Sequence, residues 1–287
     1  LKLKDYAELI RIEHTFFSLP FAYSGAVLVR VPSLKEVILI FTALFGIRSF
    51  ALIINNIVDR EIDAKNPRTA ARPIPSGRVS LKEAYVLAII SLVVYFVSAY
   101  LLNFYAFILS PIFPILAYIY PYIKRKYPFA HFWLGVILGG AVVGGAIAVS
   151  GDAPSLLDAL ARVPWVYVFA VASWVASFDI LYAVLDVKFD TEHGLHSVPA
   201  DFGVKNAVTV SKVLALIFGF LIVWSVKLYK LNSISSILIS LGLFKLYKLY
   251  GIAEIDVVKA AKMSLDENIK VGLLVGLATL FKLVPMM

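Results

Sequence analysis

The chain has 287 residues, 61% of them hydrophobic and 16% charged, with a formal net charge of +8 and no cysteine. A mean hydropathy of +0.87 excludes a soluble domain of this length, and the missing thiols exclude disulfides, thiolate metal sites and cysteine nucleophiles. The apolar runs are continuous rather than alternating, which excludes a transmembrane β-barrel and leaves an all-α polytopic membrane protein.

The opening LKLKDYAELIRIEH carries no cleavable signal pattern, and its apolar positions Leu3, Tyr6, Leu9, Ile10 and Ile12 predict an amphipathic helix on the cytoplasmic surface. Arg11 and His14, at its far end, read as ordinary interfacial residues. Runs of about 20 residues suffice to cross roughly 30 Å of hydrocarbon, and they predict about nine transmembrane helices. These lie near 15–30, 36–58, 83–101, 103–122, 131–150, 164–187, 207–229, 233–252 and 268–286. Gly135, Gly139, Gly140, Gly144 and Gly145 in the fifth span suit close helix packing.

Lys and Arg gather in alternate connections: Arg60 to Lys82, then Lys124, Arg125 and Lys126, then Lys188 and Lys205, then Lys259, Lys262 and Lys270. The positive-inside rule predicts that these loops and the amino terminus face the cytoplasm in a multi-pass cell-membrane protein, with the carboxyl terminus outside. The same asymmetry and anionic lipid account for the net charge, so no nucleic-acid partner is expected. No obligate protein partner is evident either.

Two acidic stripes stand out on otherwise apolar helices. Asn55, Asp59 and Asp63 recur at i, i+4 and i+8, while Asp179, Tyr182, Asp186 and Asp190 recur at i, i+3, i+7 and i+11, so each set is predicted to line one helical face. Ionised carboxylates at that density repel one another and are costly near lipid, which implies a compensating cation. Oxygen donors favour a hard ion such as Mg2+, which characteristically binds through one or two carboxylates plus ligand phosphate oxygens. Arg68, Arg72 and Lys124 are placed to neutralise the rest of a diphosphate, and an apolar bundle interior suits an isoprenoid tail. Arg48, seven residues before Asn55 and on its face, is expected to pair within the same cavity rather than to snorkel.

Span two and span six each end in an acidic stripe followed by a polar loop. This coarse repeat predicts one membrane domain over 1–287, built as two four-helix halves around a central cavity, with a ninth helix outside that plan. His193 and His196 lack an imidazole cluster and read as loop residues. No Ser-His-Asp set, P-loop or dinucleotide fingerprint is present.

The motifs resemble the UbiA superfamily of intramembrane prenyltransferases. The segment Asn55 to Asp63, NNIVDREID, is similar to the family's NDxxDxxxD except that Asn56 stands where Asp is usual, and Asp179 to Asp190 matches DxxYAxxDxxxD at every signature position. RIEHTFFSLPFAY, NPRTAARPIPSGRVS, YPYIKR and HGLHSVPADFG extend the likeness over roughly residues 11 to 205, closest to the 4-hydroxybenzoate and menaquinone-pathway branch. The resemblance implies Mg2+-dependent transfer of a prenyl group from an isoprenyl diphosphate to an aromatic acceptor of quinone biosynthesis, in a membrane-lipid setting.

It also implies roles by motif position. Asn55, Asp59, Asp63, Asp186 and Asp190 would hold metal and diphosphate, with Lys124 completing the catalytic set. Asn55, Arg68, Arg72, Tyr120, Lys124, Asp179 and Tyr182 would bind substrate, and Arg48, by its helical face, and Lys188 are further candidate substrate-binding residues. Position 56 lies about 100° around the helix from Asn55, so its change should leave the stripe intact. Transfer to a lipid alcohol, as in digeranylgeranylglyceryl phosphate synthases, is the alternative acceptor chemistry. An ion-coupled carrier is the alternative of a different class.

Overall fold

The computed structural model describes residues 2–283, and those residues form helices and turns with no strand among them. In chain order the helices are α1 (Lys2–Ile10), α2 (Ile12–Val29), α3 (Leu34–Lys65), α4 (Leu81–Leu102), α5 (Phe104–Leu109), α6 (Ile112–Ile123) and α7 (Ala130–Ala148). They continue as α8 (Leu156–Ala161), α9 (Trp165–Ala183), α10 (Val187–Glu192), α11 (Val198–Phe202), α12 (Val204–Leu228), α13 (Ser233–Ile255) and α14 (Val257–Leu280). Ser33 with Glu36 and Ser80 with Glu83 form capping boxes that satisfy the first amides of α3 and α4 and fix where those helices begin.

Seven helical segments among the described residues are long and apolar enough to cross a membrane. The two remaining expected spans fall on α2, whose apolar stretch 17–29 is shorter, and on α14, which carries Lys259, Lys262, Asp266, Glu267 and Lys270. The ninth span therefore differs from its sequence expectation. Asp256 caps α14 directly after α13, so the helix starts at Val257 rather than near 268, and Lys270 stands inside it instead of in a loop. Residues 284–286 of that expected span lie outside the described residues, as do the side chains of Ile12 and His14.

Small residues let the helices approach closely. A Cβ at Gly145 would lie 1.8 Å from the Ala22 carbonyl oxygen and one at Gly25 2.0 Å from that of Val142, so α2 and α7 meet backbone to backbone at two levels. Gly144 differs from its expectation, since a Cβ there meets nothing within 4 Å. Below this contact, Trp174 of α9 packs against Phe17, Phe21, Phe178 and Phe218, and its indole N–H donates to Asn268 Oδ1 of α14 at 2.7 Å. Burying Trp174 with its one donor satisfied joins α9 to α2, α12 and α14 without leaving a polar group stranded.

The amphipathic α1 is present as expected. Leu9 is buried with Ile53 and Ile57 of α3 and with Ile74 and Val79 of the 66–80 loop, while Leu3 is exposed. Arg78 of that loop donates to Asp5 and, through both terminal nitrogens, to Glu8, and also to the Ala71 carbonyl. Helix α1 is thereby tied over the loop that carries Arg68 and Arg72. Arg11, at the joint between α1 and α2, has φ 41°, a left-handed conformation that turns the chain sharply into α2.

Candidate active site

Helices α2, α3, α6, α7, α9 and α14 surround a cavity of about 480 Å³ at the end of the bundle where both stripes lie. A smaller apolar chamber of about 120 Å³ adjoins it, and Arg48, Ala51, Ala117, Ile137 and Leu138 border both spaces. The chamber wall otherwise consists largely of Ala, Gly, Leu and Ile, including Ala99, Leu102, Ala141 and Gly144. One compartment is thus charged and the other greasy, with Arg48 at the doorway.

The first stripe rides on the unbroken α3. Asp59 and Asp63 are 1% and 5% exposed, so each carboxylate needs a partner to remain charged. Lys124 Nζ stands 2.5 Å from Asp59 Oδ2, and Arg125 Nη2 lies 3.4 Å from Oδ1 while donating to the Val58 carbonyl at 2.8 Å. Asn55 Nδ2 adds a donor to Asp59 at 3.3 Å. Asp63 receives Arg72 Nη1 at 2.7 Å. Asn56 turns away and donates to the Leu52 carbonyl at 2.8 Å, so the departure from the usual acidic residue falls on a packing face of α3.

The second stripe is not one regular helical face. After Ala183 the chain tightens into a 3-10 turn over Val184–Asp186 before resuming as α10, which rotates the later acidic residues relative to the earlier ones. Asp179, Tyr182, Asp186 and Asp190 nevertheless all line the cavity. Arg68 grips Asp186 as a fork, Nε to Oδ1 at 3.0 Å and Nη2 to Oδ2 at 2.6 Å, and its Nη1 donates to the Tyr182 hydroxyl at 3.2 Å. Burial works against the Arg68 charge, yet the Asp186 carboxylate holds its pKa above the ordinary guanidinium value.

Asp190 accepts from Ser197 Oγ at 3.2 Å, and Asp179 Oδ2 lies 2.7 Å from His131 Nδ1. The Val198 amide donates to His131 Nε2 at 3.3 Å, which puts the ring proton on Nδ1, facing Asp179.

Of the residues expected from sequence, Asn55, Asp63, Arg48, Arg68, Arg72, Tyr120, Lys124, Asp179, Tyr182, Asp186 and Asp190 line the cavity together. Asp59 sits behind the wall, sealed by Lys124. Lys188 does not join them. It is exposed on α10, outside the cavity, because two residues beyond Asp186 the helix has turned by about 200°. His193 stacks on Phe189 with centroids 4.0 Å apart, and His196 pairs with Asp201 while its amide donates to the Lys124 carbonyl at 2.7 Å. Both act within the loop as expected, though His196 also lines the cavity.

Sequence reasoning missed His131 and Ser197. His131 is 48 residues from Asp179, and Ser197, though only seven residues after Asp190, lies beyond the end of α10, so helical spacing gives no signal for either. Arg125 could have been found, since it neighbours Lys124.

Among the described residues no three His, Asp or Glu side chains form a preassembled metal cluster. The oxygen donors instead stand on two sides of one cavity with cations between them. That donor set fits a hard divalent ion held by few protein ligands and completed by phosphate oxygens and water, and it does not fit a closed structural site.

A family model described as the UbiA prenyltransferase family matches residues 18–265. A 4-hydroxybenzoate octaprenyltransferase from Serratia proteamaculans (strain 568) is 32% identical over 70% of this chain and 65% of its own length. The enzyme of the same name from Histophilus somni (strain 129Pt) is 31% identical over 88% of this chain and 85% of its own length. Among solved structures, the apo structure of a UbiA homologue from Aeropyrum pernix K1 superposes with TM-score 0.90 at 42% identity, covering 95% of this chain and 99% of that one. A UbiA homologue from Archaeoglobus fulgidus bound to GPP and Mg2+ shares the fold with TM-score 0.68 at 21% identity, over 94% of this chain and 99% of that one. The chain therefore belongs to the UbiA prenyltransferase family and is a multi-pass membrane transferase.

Proposed function

We propose that this protein transfers a prenyl group from an isoprenyl diphosphate to a 4-hydroxybenzoate-like aromatic acceptor, as a step of quinone biosynthesis in the cell membrane, with its acidic cavity toward the cytoplasm. The observation that carries this reading is the charged cavity opening past Arg48 into an apolar chamber, a pairing that suits a molecule with a polyanionic head and a hydrocarbon tail. The octaprenyltransferase names of relatives near 31% identity favour the aromatic acceptor over a lipid alcohol. The GPP and Mg2+ bound to the Archaeoglobus homologue support the donor and the metal.

Asp63, Asp186 and Asp190 on the cavity wall, with Asn55 and the recessed Asp59, would hold Mg2+. When bound, that ion adds positive charge at the diphosphate oxygens, where negative charge grows as the allylic C–O bond breaks. Arg68, Arg72 and Lys124 supply fixed positive charge to the same oxygens. Phe17, Tyr120, Phe178 and Tyr182 line the cavity and offer π faces to the allylic cation. Diphosphate leaves with the electrons of the broken C–O bond, the electron-rich ring then attacks the allylic carbon, and the ring proton passes to that released diphosphate to restore aromaticity. Apolar walls from Leu134, Ile137, Leu138 and Ile269 keep water from intercepting the cation.

The test incubates purified protein with Mg2+, geranylgeranyl diphosphate, hydroxybenzoates and geranylgeranylglyceryl phosphate, and reads products by mass spectrometry. A prenylated aromatic is expected. An ether lipid would assign the alternative acceptor, and the absence of any prenyl product together with ion flux in proteoliposomes of the same protein would assign a carrier. In the same assay Gly144→Phe, which projects into the open chamber, should shorten the longest chain accepted.

A further inference from the structure

Three carboxylates of the site are each held by a cation that also faces the cavity. Lys124 holds Asp59 at 2.5 Å, Arg72 holds Asp63 at 2.7 Å, and Arg68 forks onto Asp186 at 3.0 and 2.6 Å. The first two carboxylates are almost fully buried, so displacing Lys124 leaves Asp59 only the more distant Arg125, 3.4 Å away, and displacing Arg72 removes the ion pair that Asp63 makes, unless another positive charge takes their place. Lys124, Arg72 and Arg68 have long flexible stems and stand on the cavity wall, within reach of an anion inside it. Asp179 and Asp190 differ, being met by His131 and Ser197 rather than by Lys or Arg.

We infer that Arg68, Arg72 and Lys124 are exchangeable counter-ions that make the site accept a divalent cation and a diphosphate together, in preference to either alone. The inference rests on the diphosphate reading above. A lone divalent cation at Asp59 and Asp63 must displace Lys124 and Arg72 and leaves them unpaired in a confined space beside a second positive charge. A lone diphosphate meets cations already committed to carboxylates, and those carboxylates repel it. When both arrive, the carboxylates turn to the metal and the three side chains turn to phosphate oxygens, so every charge keeps a partner. Thermodynamic linkage then requires each ligand to tighten the other by the same factor. Lys124 bears most on this exchange, because it stands between the cavity and Asp59.

The experiment uses the full chain in lipid nanodiscs. Binding of Mn2+ alone is titrated by electron paramagnetic resonance for the wild type, Arg72→Gln and Lys124→Gln, with thermal unfolding as a check on folding and Arg68→Gln as a third variant. Retention of labelled inorganic pyrophosphate is measured by equilibrium dialysis with and without Mg2+. Removing a guarding cation should tighten Mn2+ binding by about tenfold, and Mg2+ should raise wild-type pyrophosphate retention by about tenfold or more, with a smaller ratio in each variant. Unchanged or weaker Mn2+ binding in the folded variants overturns the exchange, as does wild-type pyrophosphate retention that ignores Mg2+. A wild type that holds neither Mn2+ nor pyrophosphate overturns the diphosphate reading itself.

Discussion

The two acidic stripes face one cavity but are built differently. The stripe on α3 is a straight helical face whose two aspartates are buried and matched to Lys124, Arg125 and Arg72. The stripe that begins on α9 is interrupted by a 3-10 turn, more open, and matched mostly by groups other than Lys or Arg: His131 at Asp179 and Ser197 at Asp190, with Arg68 at Asp186. A straight helix offers carboxylates at fixed spacing and must neutralise them where they stand. A broken one turns the later carboxylates relative to the earlier ones, and Asp190 on α10 lines the cavity with Asp179. The first stripe therefore couples chemistry to stability, whereas the second is freer to serve chemistry alone.

The largest effect is expected from Asp59→Ala, which strips Lys124 of its buried partner. Product formation should fall by about a thousandfold or more. Folding stability should drop by about 2 kcal/mol, discounted from the cost of breaking a fully buried pair because Lys124 is partly exposed. Asp186→Ala should lose activity on the same scale while changing stability by less than about 1 kcal/mol. Product mass spectrometry and thermal unfolding in one membrane mimetic measure both, and equal stability losses would break the contrast between stripes.

A smaller effect follows within the second stripe. His131→Leu leaves Asp179 without its oriented donor and should lower turnover by about ten- to a hundredfold, the range for partners that orient site ligands. His131→Asn, which keeps a donor, should recover part of that loss in steady-state assays.

The tie between α1 and the 66–80 loop sets a pH dependence. The Arg78 guanidinium holds the Glu8 carboxyl below its ordinary range, so the folded pKa lies below the unfolded one. The tie contributes fully above the unfolded value of about 4.3 and is lost as pH falls through the depressed folded value. Hydrogen exchange over residues 2–10 should therefore quicken in acid beyond its intrinsic pH trend, and Glu8→Gln should flatten that response. The smallest change is expected at Lys188→Ala. That side chain is exposed outside the cavity, and kcat/KM should stay within about twofold of wild type.

Much of the architecture could be read along the chain because lipid imposes a simple rule: backbone groups pair inside helices, and about 20 apolar residues announce each crossing. Helix α3 shows the rule at its clearest, since Asn55, Asp59 and Asp63 keep the face their spacing predicts. Helix α14 shows its limit. Its five charged residues hide its first half from a hydropathy reading, although Asp256 caps it and Gly272 and Gly276 pack it against Trp174 and Pro20. Lys188 was misplaced for another reason, since proximity in sequence to Asp186 says nothing about direction once the helix changes pitch.

By itself the sequence determined that this is a helical membrane protein with two carboxylate stripes and a nearby set of basic residues, because hydropathy and helical period are local properties of the chain. Tertiary structure alone decided which cation meets which carboxylate, that His131 faces Asp179 from 48 residues away, and that Arg48 stands between a charged cavity and an apolar chamber. Those pairings depend on how α3, α6, α7 and α9 pack and on where α9 breaks, and packing brings together residues whose separation along the chain carries no periodic mark.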